Sequence, residues 1–598
     1  MRFVPPDRLN GTRFEPHELF FLDCWYGLTH DKSLDSHRVK CLNSRTVIRE
    51  LCEELEIGRL DDDEFFAICA EASSILKSDV VLAASFPKGK ASLLPFLASP
   101  PLLPGSSKSD KSKPENQTRL RHLQFAATDL DAALEERYFA TLCNRLKEAL
   151  EAKDTPTIES LTNAMLSDLM ARGWPLRALF AWHEKFLKSD SYSFADNFEF
   201  IVRQLKRPPD GFQVILRISG GKNVRRLNSF RDLSLSPACP VSVEKEYERA
   251  FATPDDFTTF ASGRFFAPDF SSAAIIAREE IEPLLDSLRF RFEPGLLKIE
   301  RECLVIREGD QRRMIISLTN PVPNPIEVPD EDDFNTFSEK LSRILGSRIF
   351  EEESKNRLET ALRRYRAGRD SQNYSEKFLN WWMGLEALAN VSGTKIGRTV
   401  TDNVSHVMLN GYMFRILRDF VITLKYLRID WPESFKEKSQ SDSLRDLNVE
   451  GLLRLLQEES LSGKLLDAIR SRPFVQVRGH RLVDWMTDPS KMHDQLSSHL
   501  CRLTWQLNRL YRIRCCLVHG SKVRFRLALF SANLEYYLQQ AILFTIESLS
   551  ESPHITDLSG LFQRNVLMWQ RRLELLKSNG AGKDAIADTI FCSVVSRD

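Results

Sequence analysis

RLYRIRCCLVHGSKVRFR, residues 509–526, reads as the end of a helix followed by a short basic connection. At roughly 100° per residue, Leu503, Leu507, Leu510, Tyr511, Leu517 and Val518 fall on one apolar stripe, and Arg514 falls in the middle of it. A guanidinium on a packing face needs a reason, and His519 follows five residues later, just before Gly520 as a candidate helix cap. The two side chains lie roughly 140° apart around such a helix, so a single helix does not bring them side by side.

The rest of the chain sets limits on that reason. With 598 residues it is long enough for about three or four domains. Its 42% hydrophobic and 28% charged residues describe an ordinary globular protein. Lys+Arg and Asp+Glu both number 83, so any nucleic-acid contact must come from a local basic patch. The eleven cysteines are scattered and form no CxxC pair, which argues against a zinc ribbon or a disulfide framework. The N-terminal stretch has three prolines and no apolar signal core, and no run approaches a membrane span. A cytoplasmic protein with no membrane contact is expected. GGKN at 220–223 lacks the strand–loop–GK[ST] arrangement of a phosphate loop, so no nucleotide cofactor is expected, nor any metal.

The organisation reads as an α+β multidomain chain. Residues 1–98 are a mixed α/β N-terminal region, in which the stretches around 36–58 and 61–78 are amphipathic helices. SPPLLPGSSKSDKSKPENQ, 99–117, is a linker. Residues 118–194 are helical, with Thr128 or Asp129 as candidate cap of the first helix. Residues 195–333 form a strand-rich α/β domain, drawn from FEFIVRQL, FQVILRIS, LRFRFEPG, LLKIERECLVIRE and RRMIISL between PPDG, GGKN and EPG turns. Residues 334–580 are helical.

Three stretches of that C-terminal region belong together: NYSEKFLNWWMGLEALANVSG at 373–393, LCRLTWQLNRLYRIRCCLVHG at 500–520, and LALFSANLEYYLQQAILFTIESL at 527–549. FLNWWMGLEALA, a long insertion, LYRIRCCLVHG and a final amphipathic helix resemble the HEPN superfamily, in its Apea-like branch, over about 335–550. The family signature, an Arg, four variable residues and a His near the end of the third bundle helix, corresponds here to Arg514, Cys515, Cys516, Leu517, Val518 and His519. Family nucleases commonly carry Asn, Asp or His directly after the Arg, where this chain has Cys515.

The resemblance implies an all-α HEPN-like bundle and a metal-independent endoribonuclease. In that chemistry the RNA 2′-hydroxyl attacks the adjacent phosphate and leaves a 2′,3′-cyclic end. It also implies a homodimer with a composite cleft, and a toxin role in anti-phage defence through cleavage of tRNA or other host RNA. A phage-derived trigger would be sensed by the N-terminal region. The residues suit this chemistry on their own terms. A histidine side chain titrates near ~6.5 and moves protons at neutral pH, and a helix C-terminus favours positive charge. An arginine fork matches the charge that builds on phosphate oxygens.

Arg514 and His519 are therefore the candidate catalytic pair, with Glu386 and Cys515 as supporting residues. Arg509, Arg512, Lys522, Arg524 and Arg526 are candidate RNA contacts, and Arg363, Arg364, Arg366 and Arg369 form a second basic cluster. Each has a plainer alternative: an Arg514–Glu386 ion pair, a capping His519, small apolar cysteines and a solvated basic surface. A catalytically inert interaction module or regulatory subunit is the corresponding whole-chain alternative.

Overall fold

Asp488 and Pro489 start the helix that carries the opening stretch. Asp488 lacks helical backbone angles, and its Oδ1 accepts a hydrogen bond from the Ser490 amide at 2.9 Å, while proline at the first helical position has no amide to leave orphaned. The helix runs Pro489–Val518, 30 residues, and its last turn closes where the His519 amide donates to the Cys515 carbonyl at 3.1 Å. It is called the spine helix below. The structure is a computed structural model. It describes the chain except residues 1, 10–13, 31–41, 104–113, 189–192, 221–228, 231–232, 243–244, 254–257, 292–296, 319–330, 372, 392–395, 520–526, 553, 579–581 and 592–598.

The chain divides into two compact units, one of Met1–Asp168 with Asn324–Asp598 and one of Leu169–Pro323. The segments 1–98 and 118–168, expected as separate from the C-terminal helices, belong to the same unit as those helices. The described residues of that unit are helical, which corrects the mixed α/β reading of 1–98. The helix beginning at Pro114 extends to Glu151. It takes in the end of the expected linker and carries Thr128 and Asp129 in its interior, not as caps.

Against the spine helix the C-terminal segment builds an apolar core. Phe378, Trp382 and Leu385 from Tyr374–Ala389 meet Leu503, Leu507 and Leu510 from the spine and Leu534 and Leu538 from Leu527–Glu551. Helix Glu352–Asp370 closes on Tyr374–Ala389 at a glycine: a Cβ on Gly368 would stand 2.2 Å from Trp381 Nε1. That indole N–H is committed to the Tyr365 carbonyl at 3.1 Å, so the ring is fixed in place.

The second unit is built on a six-stranded sheet, β1 (Asp210–Ser219), β2 (Ser229–Phe230), β3 (Leu233–Ser236), β4 (Thr258–Ala267), β5 (Lys298–Arg307) and β6 (Arg313–Ser317), in the order β2-β3-β4-β1-β5-β6. Every neighbouring pair is antiparallel. Phe212, Val214, Leu216 and Ile218 point to one face, as period-two alternation requires. There they pack on Ala273, Ala274, Ala277 and Ile281 of helix Phe270–Arg291, whose small residues let it lie close. Ile215, Phe260 and Leu304 cover the other face with Phe251 of helix Glu246–Ala252. FEFIVRQL, expected as a strand, lies in helix Phe194–Leu205, started by the Ser193 hydroxyl accepting from the Asp196 amide at 3.1 Å. LRFR likewise ends helix Phe270–Arg291.

The glycine contact gives a direct test. Gly368→Ala should lower the unfolding free energy, because an overpacking cost of ~1–3 kcal/mol opposes a propensity gain of ~1 kcal/mol. Gly463, in helix Glu459–Ala468 with open space where a Cβ would stand, should gain up to ~1 kcal/mol on the same change. Denaturant melts of the two variants should shift in opposite directions.

Candidate functional site

Around the turn of the spine helix that carries Arg514, each neighbour constrains the next. Trp382 donates its indole N–H to Glu386 Oε1 at 2.6 Å. The same carboxylate lies 3.2 Å from Arg514 Nη2. The Trp382 ring meets the Tyr511 ring at 5.7 Å and 41°. Tyr511 in turn packs where a Cβ on Gly397 would stand, at 2.6 Å. The arginine on the apolar stripe is therefore oriented by Glu386 and remains 23% exposed. Beyond it the stripe leaves the core: Leu517 is partly buried, and Val518 at 52% exposed and His519 face solvent.

Cys515 follows Tyr511 by one turn of the spine helix. Burial pushes its thiol up, against the opposing effects of Tyr511 and Arg514. Burial is also the main cause of the Tyr511 phenol rising to about 12, with Cys515 adding to it. Both groups are thus neutral near pH 7, and Cys515 lacks the thiolate that nucleophilic chemistry needs.

Arg509 and Arg512, expected as RNA contacts, are placed otherwise. Arg509 is 2% exposed, its Nε 3.0 Å from Glu50 Oε2, and its Nη2 bonds Glu71. Arg512 bonds Glu50 through Nη2 and reaches Glu54 Oε1 at 3.3 Å. Glu50 and Glu54 come from helix Ser44–Ile57, and Glu71 from Asp62–Ser78. Both arginines occupy the back of the spine helix, opposite the apolar stripe, in a buried five-member ion network. A guanidinium enclosed this way has no face left for a phosphate.

Burial works against the charge of Glu50, but Arg509 and Arg512 prevail and hold it below its ordinary value. Burial dominates at Glu54 and Glu71 and raises both. The sequence signal was present: Glu50 and Glu54 are one turn apart on one helix face, and Glu71 interrupts an apolar run.

Lys522, Arg524 and Arg526, with Gly520, lie outside the described residues. In the second cluster, Arg369 pairs with the buried Glu535 at 2.9 Å and Arg364 bonds Asn380 at 3.0 Å. Among the described residues no group of three or more His, Cys, Asp or Glu side chains is placed to hold a metal ion. No helix among them is long and apolar enough to cross a membrane.

Comparison with known protein families, curated proteins and solved structures finds no match. The functional reading therefore rests on this helix end alone.

The two arginine environments should separate by stability. Arg509→Met leaves buried carboxylates unpaired and should cost ~3–5 kcal/mol. Arg514→Met, at a partly exposed single pair, should cost ~1 kcal/mol or less. The Glu50 contribution also has a definite sign. Its folded pKa lies below the ordinary 4.5, so its stabilisation is complete above that value and lost as pH falls through the folded one. The stability difference between wild type and Glu50→Gln, followed by denaturant melts from pH 7 downward, should therefore shrink below about pH 4.5.

Proposed function

We propose that the C-terminal helical segment is a HEPN-type, metal-independent endoribonuclease. In this reading it cuts tRNA or other host RNA by 2′-hydroxyl attack, as a regulated toxin of anti-phage abortive infection in the bacterial cytoplasm. The observation that carries the reading is the contrast among three arginines on one helix. Arg509 and Arg512 are enclosed in the ion network. Arg514 is partly exposed and oriented by Glu386, at the same helix end as the exposed His519. One accessible guanidinium and one accessible imidazole are the two groups this chemistry requires.

In the proposed mechanism His519 takes the proton from the 2′-hydroxyl as its oxygen bonds to phosphorus, and Arg514 stabilises the charge on the pentacoordinate phosphate. The bond to the 5′-oxygen then breaks, that oxygen leaving as a hydroxyl with the proton returned by the imidazolium. Glu386 holds the Arg514 fork. Because the two side chains lie roughly 140° apart on their helix, a second copy would complete the site across a two-fold axis, with the exposed Val518 at the seam. The N-terminal helices, joined to the spine by the ion network, are where a phage-derived trigger would act.

A second reading is favoured by one observation. Glu386 already neutralises Arg514, and a neutral Cys515 stands where family nucleases place a polar side chain. Such a helix end suits an inert interaction module or regulatory subunit.

Incubating the full chain with RNA separates the two. The nuclease reading expects fragments with 2′,3′-cyclic ends, and at least ~10²-fold slower cleavage for both Arg514→Ala and His519→Ala, with unchanged melting profiles. Folded variants that cut as fast as wild type, or a wild type that leaves RNA intact both alone and during phage challenge, decide for the interaction module.

A further inference from the structure

The back of the spine helix also lines a cavity of about 660 Å³, within the first unit. Its walls come from the N-terminal helices, from helix Pro473–Thr487 and from spine residues more than two turns before Arg514, and neither Arg514 nor His519 takes part. The volume is that of a small-molecule site. Its charge balance identifies what would fill it.

Three acids line the cavity, and each is already engaged. Glu159 binds Arg478 at 2.9 Å and Arg481 at 2.5 Å. Glu71 belongs to Arg509, outside the lining. Asp79 caps Val81 and Leu82 through Oδ1 and accepts the Tyr138 hydroxyl at 2.7 Å through Oδ2. Two further arginines line the same space, Arg2 and Arg502. In each the Nε–H is buried and has no hydrogen-bond partner among the described residues. The cavity thus holds more guanidinium than carboxylate can satisfy.

A buried charged donor without a partner is costly, and an anion entering the cavity would remove that cost. The planar fork of arginine favours phosphate or carboxylate. A third lining residue narrows the choice. Asn163 presents a buried amide oxygen that no donor reaches among the described residues. An acceptor in the same cavity as unsatisfied cationic donors calls for a ligand that carries both an anionic group and hydroxyls. Trp505 lines the cavity too, three residues after Arg502 and so on the same helix side. Its flat indole suits the C–H face of a sugar ring or a base.

We propose that this cavity binds a phosphorylated sugar, free or as part of a nucleotide, with its phosphate on Arg502 and a hydroxyl on Asn163. Arg2 adds a second cation to the same chamber. The ligand would bridge the N-terminal helices and the spine, alongside Glu71, which already bonds Arg509.

Isothermal titration calorimetry of the full chain with ribose 5-phosphate, AMP, inorganic phosphate and ribose tests the assignment. Saturable binding of ribose 5-phosphate or AMP is expected, at least roughly tenfold tighter than inorganic phosphate, with no heat from ribose. AMP binding more tightly than ribose 5-phosphate assigns a nucleotide, and equal affinities assign the sugar phosphate. Arg502→Met should weaken both by at least roughly tenfold. It should not lower the melting temperature of the unliganded chain, since Arg502 has no ion pair to lose among the described residues. If Arg502→Met does not fold, Arg502→Lys, which keeps the charge without the fork, should show the same direction with a smaller loss. Asn163→Ala should weaken ribose 5-phosphate and leave inorganic phosphate unchanged. The proposal is overturned if neither sugar phosphate binds at millimolar concentration, if inorganic phosphate binds as tightly as they do, or if the folded Arg502 variant binds like wild type.

Discussion

Two arginines and three glutamates buried between helices hold the larger unit in its observed form. Arg509 and Arg512 could not be enclosed alone, because a desolvated guanidinium without a counter-charge is far less stable than one in water. Glu50, Glu54 and Glu71 are equally unfit for burial without them. The network is therefore an all-or-none specification of which helices meet and in what register. An apolar patch would tolerate sliding by a turn, whereas a fork that bridges Glu50 and Glu71 does not. Such groups contribute more to uniqueness than to net stability. The raised Glu54 and Glu71 carboxyls agree, since three acids and two bases leave one negative charge in excess of what burial tolerates.

That arrangement gives the spine helix two different faces. Its front is apolar and packs among Trp382, Leu385 and Leu538, as in any helical core. Its back is polar, covered by acidic helices in one stretch and lining the cavity of about 660 Å³ in another. At its C-terminal end Arg514 is partly exposed, and Val518 and His519 leave both coverings.

Much of this was legible and some was not, for identifiable reasons. The apolar stripe through Leu503, Leu507 and Leu510 was readable from helical spacing, and the Arg514–Glu386 pair was among the plainer alternatives the sequence offered for that arginine. Strands β1, β5 and β6 were readable from alternation. Strand β4 was not, since Ala261, Ser262 and Gly263 interrupt its hydrophobic pattern with small residues. FEFIVRQL misled because its β-branched and aromatic content suggests a strand, while Phe198, Ile201 and Leu205 are spaced for one helix face and Ser193 caps it. Arg509 and Arg512 misled for a deeper reason. A basic helix face looks the same in sequence whether water or a distant acidic helix covers it, and the covering helix lies more than 400 positions away.

That separation also bears on how the chain is made. Glu50 and Arg509 are 459 positions apart, and translation proceeds at ~5–20 residues per second. For roughly half a minute to a minute and a half the acidic helices must exist outside the ribosome without their arginines, while the whole sheet unit is synthesised in between. The spine helix is the last member of this ion network to be synthesised, so whatever chemistry its end performs begins only after the sheet unit has been made.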